Sequence, residues 1–172
     1  MEREQLYVRG FRYDLEIYDL ATGEVRSRET RFNRIPQAGI DFLIQAPFGD
    51  TASIPNFYCG LFRNNVVPTA GLVAADIPTT LGEFTEYSET TRPEWVKVYN
   101  GVGSYDNLAS KAVFTPTADR NVYGAFLVSN SAKGSNTGLL LSVVRFTTMK
   151  SLSTGEAARL AVSLTYIPTN VT

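Results

Sequence analysis

The stretch Asn121 to Thr148, NVYGAFLVSNSAKGSNTGLLLSVVRFTT, constrains the fold more than any other part of this chain. It holds two apolar runs, Val122–Ser129 and Gly138–Phe146, separated by eight residues rich in Ser, Asn and Gly. Successive side chains of a strand point to opposite faces, so Val122, Phe126 and Val128 share one face and Tyr123, Ala125 and Leu127 the other. Leu139, Leu141 and Val143 oppose Leu140, Val144 and Phe146 in the same way. A strand apolar on both faces is either a central strand covered on each side or one that another chain covers. The stretch is therefore expected to form the central hairpin of an all-β domain.

Residues 1–34 are of a different character. They hold seven arginines and seven acids but no lysine. Two alternating runs, Leu6–Tyr18 and Val25–Phe32, flank Asp19-Leu20-Ala21-Thr22-Gly23, which has the chemistry of a hairpin loop. Tyr7, Arg9, Phe11, Tyr13, Leu15 and Ile17 share one face of the first run. Arg12, Asp14, Glu16 and Tyr18 share the other. Such a hairpin is expected to be half buried at most, either as the outer pair of a sandwich with cross-strand ion pairs or as an arm that packs on a neighbour.

A single helix is expected at Pro36 to Ala46, with Pro36 suited to the first turn, Ile40, Leu43 and Ile44 as its apolar stripe, and Pro47 as its stop. Phe57–Arg63 reads as a buried strand, and Cys59 within it as a buried thiol. Residues 64–94 have little periodicity, are broken by Pro68, Pro78 and Pro93, and carry Asp76, Glu83, Glu86, Glu89 and Glu94 against one Arg92. A loop this long is expected to be functional or ordered by a partner. Trp95 opens the next strand, Trp95–Tyr99, and is expected to be buried. Asn100–Ser104 reads as a turn, Ala112–Thr115 as a short strand, and Arg159–Ile167 as the last strand, with Leu160, Val162, Leu164 and Tyr166 on one face. About nine or ten strands at regular spacing predict one domain of β-sandwich or jelly-roll type, spanning 1–172, with 1–34 as hairpin or arm and 36–172 as the sandwich core.

The chain contains no histidine and one cysteine, which excludes imidazole bases, Ser-His triads, an internal disulfide and multi-cysteine metal sites. No stretch has the alternating ligands of a calcium loop, and Gly101-Val102-Gly103 lacks what a phosphate-binding loop requires. No enzyme activity and no cofactor are expected. A net charge of −1 argues against a nucleic-acid partner. No apolar run approaches the roughly 20 residues of a membrane-spanning helix, and no charged-then-apolar leader follows Met1, so a soluble protein made in a cytoplasm is expected.

The order of its parts resembles a group of small virion proteins of tailed bacteriophages. The residues that carry the resemblance begin with the charged hairpin and Ala38-Gly39-Ile40-Asp41. Asn56-Phe57-Tyr58-Cys59-Gly60-Leu61-Phe62 follows, then Ala74-Ala75-Asp76, Gly82-Glu83-Phe84-Thr85-Glu86-Tyr87 and Thr91-Arg92-Pro93-Glu94-Trp95. Ser110–Thr115, Val122–Val128, Lys133-Gly134, Gly138-Leu139-Leu140 and Gly155-Glu156 close the pattern. The resemblance implies an all-β capsid cement (decoration) protein on the outside of the virion. Such a protein would bind the major capsid protein as a homodimer or homotrimer, after synthesis in the host cytoplasm. A tail, neck or baseplate component, or a receptor- or glycan-binding module, is the alternative. Partner contacts are expected at Tyr7, Arg9, Phe11 and Arg12 of the hairpin and at Asp76, Glu83, Glu86, Glu89 and Arg92 of the acidic loop.

Overall fold

A computed structural model describes the backbone of residues 4–101 and 103–170, and the side chains of residues 10–101 and 103–166. The strands are β1 (Glu4–Asp19), β2 (Val25–Phe32), β3 (Tyr58–Phe62), β4 (Val98–Tyr99), β5 (Ser104–Asp106), β6 (Ala112–Phe114), β7 (Arg120–Val128), β8 (Leu140–Leu152) and β9 (Glu156–Asn170), with one α-helix among the described residues, α1 (Gln37–Gln45), after β2, and short helical turns at Ala46–Phe48, Ala74–Asp76 and Ile77–Leu81. One sheet runs β2-β1-β9-β5-β4, with β6 also paired to β9; the other runs β3-β7-β8. The chain is an all-β, sandwich-like fold.

β7 and β8 form the expected hairpin, and both of its faces are covered by the chain itself. Val122, Ala125 and Leu127 face the core between the sheets with Leu141, Val144 and Phe146. Phe126, Val128, Leu140 and Val143 face a second core, closed by Phe62, Leu72, Ala74, Ile77 and Leu81. Strict alternation misassigns Val122, because the register shifts between Val122 and Gly124. A second shift opposite Leu127 and Val128 reverses the phase at Leu141. The first shift leaves three extra residues on β8, between Arg145 and Lys150, and the second leaves one, Leu141; an odd number of extra residues swaps the faces beyond it.

The N-terminal hairpin is not an arm. β1 lies between β2 and β9, pairing with β9 from Glu4↔Asn170 to Asp19↔Glu156. Phe11, Tyr13, Leu15 and Ile17 are wholly buried, opposite Leu160, Val162 and Leu164 of β9. The Asp19 carboxylate accepts the backbone N–H groups of Ala21 and Thr22, at 2.9 and 2.8 Å, and so sets the turn.

Irregular segments join the two sheets along both sides. At one seam Arg34 bridges Val143, and the Glu29 carboxylate accepts the backbone N–H of Thr147 and the Lys150 ammonium, the latter at 2.6 Å. At the other, residues 83–95 run along β3: Phe84 donates to the Leu61 carbonyl, Cys59 to that of Pro93, and Trp95 to that of Phe57, each at 2.8 Å. Ser88 then donates to Thr115 and Thr117 to Glu86, both at 2.9 Å, which links this segment to the end of β6. These bonds satisfy edges that would otherwise be open to other chains.

The helix appears where expected but rotated. Its buried line is Gly39 with Phe42 and Leu43, whereas Ile40, Ile44 and Phe48 face solvent. A Cβ at position 39 would stand 2.4 Å from the Leu141 carbonyl oxygen. Only glycine lets α1 approach β8 this closely, and that approach turns Ile40 and Ile44 outward while Leu43 stays against the core.

Candidate contact surfaces

The outer face of the larger sheet carries a groove of about 300 Å³ lined by Arg12, Asp14, Glu16, Arg28, Thr30 and Lys111, among others. Alternation along β1 sends Arg12, Asp14 and Glu16 outward while Phe11, Tyr13 and Leu15 face the core. The Arg12 guanidinium lies 2.9 Å from Asp14, which also accepts the Thr30 hydroxyl. Glu16 meets Lys111 at 2.8 Å, Arg28 at 3.3 Å and Arg159 at 3.4 Å. The hydrogen bond from Lys111, with the added field of Arg159 and Arg28, holds the Glu16 carboxyl below its ordinary value. A carboxylate surrounded by three cations stays ionised and paired, whereas a general acid must keep its proton near neutral pH. Chemically the groove is a charged surface whose carboxylates are paired.

The residues expected to meet a partner divide into three groups. Tyr7 lies on β1 opposite Ile167, and Arg9 in the irregularity between Val8 and Phe11; their side chains lie outside the described residues. Arg12 is half exposed on the groove. The others are engaged within the chain. Phe11 is fully buried, edge-on to Trp95 with ring centroids 5.9 Å apart. Glu83 and Arg92 form a buried pair in which Nε and Nη2 of Arg92 donate to the two carboxylate oxygens at 2.8 and 2.7 Å. The same guanidinium donates to the Asn130 and Ser135 carbonyls at 2.8 and 2.9 Å, and Gly134 N–H donates to Glu83 at 2.9 Å. Glu86 pairs with Arg63 and Arg120, and Glu89 accepts the N–H and hydroxyl of Thr115. Asp76 accepts Val73 N–H at 2.9 Å. The acidic loop is thus ordered by its own chain, because each of these carboxylates finds a cation or N–H group brought near by the fold.

Sequence reasoning placed a strand at Trp95–Tyr99 but no expected partner contact at β4 and β5. Asn100-Gly101 was legible as a turn, but the strands on either side of it are only two and three residues long, too short to show alternation. Tyr99 opposes Tyr105 in this ladder, their rings 5.3 Å apart, and both are exposed, as are Val96, Val98 and Leu108. Among the described residues no strand pairs with the outer edge of β4. Trp95, by contrast, is buried as expected and donates its indole N–H to the Val162 carbonyl at 2.9 Å. Cys59 is likewise buried, and burial pushes its thiol pKa up, away from reactivity.

No family model, no curated protein and no solved structure matches this chain. Among the described residues, no three histidine, cysteine, aspartate or glutamate side chains come together to hold a metal ion. No helix among them is long and apolar enough to cross a membrane.

Proposed function

We propose that the chain is a structural protein of a tailed-bacteriophage virion, most specifically a capsid cement protein that clamps adjacent major capsid subunits. The observation that carries the reading is the open β4 edge with its exposed Val96, Val98, Tyr99 and Tyr105. Large apolar side chains grouped beside unpaired backbone are what protein association uses. The resemblance supplies the virion. A cement protein gains its hold from many weak contacts multiplied across a lattice rather than from one tight site. It acts as a homodimer or homotrimer.

The test is stoichiometry. Quantitative mass spectrometry of mature heads is expected to count hundreds of copies, and heads stripped of the chain are expected to lose heat resistance. A handful of copies per virion would sink the idea. The exposed Tyr99–Tyr105 pair supports a second reading, stacking on a sugar in a receptor-binding module of the tail or baseplate. A glycan array that binds the wild type and not Tyr99→Ala would favour it.

A further inference from the structure

Seven of the ten arginines whose side chains are described pair with a carboxylate: Arg12 with Asp14, Arg26 with Glu156, Arg28 and Arg159 with Glu16, Arg63 and Arg120 with Glu86, and Arg92 with Glu83. Arg31, Arg34 and Arg145 are the exceptions among them, and all three lie at the seam between β2 and β8. Arg34 and Val143 exchange both backbone hydrogen bonds, at 3.0 and 3.2 Å, so their side chains share a face. Arg145, two residues along β8, is on that face too, as is Phe32, two residues before Arg34. The bridge brings the end of β2 beside β8, and Phe32 opposes Arg12 in the β1–β2 ladder. Phe32 is 54% exposed. Arg145 meets only a neutral partner, the Asn65 side-chain oxygen at 2.5 Å, and its Nε–H is shielded from water with nothing to bond.

We propose that this seam is a docking site for a carboxylate-bearing segment of a protein partner, with Arg34 and Arg145 taking the carboxylates and Phe32 taking an adjoining apolar side chain. The argument is charge complementarity. In a chain of net charge −1, two guanidiniums left without a carboxylate, those of Arg34 and Arg145, share the seam with one exposed aromatic side chain. Guanidinium matches carboxylate geometry in a two-bond fork, and an exposed ring flanked by arginines has the composition of an interface anchor. A duplex phosphate backbone is disfavoured, because it offers no apolar group to cover the exposed Phe32 ring. The site does not depend on which particle the chain belongs to.

The test uses the full chain and fluorescent polymers: poly(Glu,Tyr) and poly-glutamate as carboxylate probes, and a duplex DNA as the phosphate probe, followed by anisotropy. Wild type is expected to bind poly(Glu,Tyr) more tightly than poly-glutamate, and both more tightly than the DNA. Arg34→Gln with Arg145→Gln is expected to weaken poly(Glu,Tyr) binding by about tenfold or more. Phe32→Ser is expected to abolish the preference for the aromatic copolymer. Lys97→Gln with Arg120→Gln makes the same change in net charge away from the seam and is expected to leave binding unchanged. The proposal is overturned if wild type binds neither polymer, if DNA binds tighter than both, or if the distant pair of substitutions weakens binding as much as the seam pair.

Discussion

Replacing Arg92 with methionine keeps most of the side-chain bulk and removes the guanidinium that joins residues 83–92 to the loop at 129–139. The Glu83 carboxylate, 3% exposed, would keep only the Gly134 N–H, and the Asn130 and Ser135 carbonyls would each lose a donor. Stranding one partner of a buried ion pair costs about 3–5 kcal/mol. For a domain of this size each kcal/mol moves Tm by about 2–4 °C, so a fall of roughly 6–20 °C is expected. Glu83→Leu added to Arg92→Met removes the stranded charge, and the double variant is expected to recover much of that loss. Thermal melting by circular dichroism gives both numbers, and the emission of the buried Trp95 reports whether the core opens with them. A loss below about 1 kcal/mol for Arg92→Met would refute the reasoning, because an ion pair this deeply buried cannot be broken so cheaply. A double variant no more stable than the single one would refute it as well.

Three further outcomes follow from other parts of the fold. Gly60→Ala places a Cβ 2.1 Å from the Phe126 ring and is expected to destabilise by about 1–3 kcal/mol, with partial rescue by Phe126→Leu in a urea titration. Tyr13→Phe removes the 2.8 Å hydrogen bond from the buried phenol to Ser142 Oγ and is expected to cost about 1 kcal/mol; a neutral result would show the bond to be idle. In the folded chain the Glu16 carboxyl lies below the ordinary value of 4.5. The unfolded chain therefore takes up its proton first, and stability present above that pH is lost as the pH falls through the folded value. Urea midpoints between about pH 6 and pH 3 are expected to fall less steeply for Glu16→Gln than for wild type.

The sequence carried the class of fold because its signals were local. The two-faced apolar runs at 121–148, the Asp19–Gly23 turn and the alternation of Leu160, Val162 and Leu164 each follow from a few neighbouring residues. What it could not carry was set by register and by distant partners. The phase of β7 and β8 depends on two bulges that alternation does not reveal. The outward turn of Ile40 and Ile44 depends on how closely Gly39 meets β8, about a hundred residues later in the chain. Glu83, Glu86 and Glu89 read as contacts for another chain because the fold alone brings Arg92, Arg120 and Thr115 to them. The pairing of Tyr99 with Tyr105 was not legible because strands of two and three residues are too short for any periodicity to show.

The most direct test of the account is an image of the chain in place, by electron cryomicroscopy of mature heads at side-chain resolution. The account predicts regular density for this fold over the junctions of the capsid lattice, with the β4 edge and its exposed tyrosines against a neighbouring chain. Heads with no such density, or with the β4 edge facing open solvent in every copy, would contradict it.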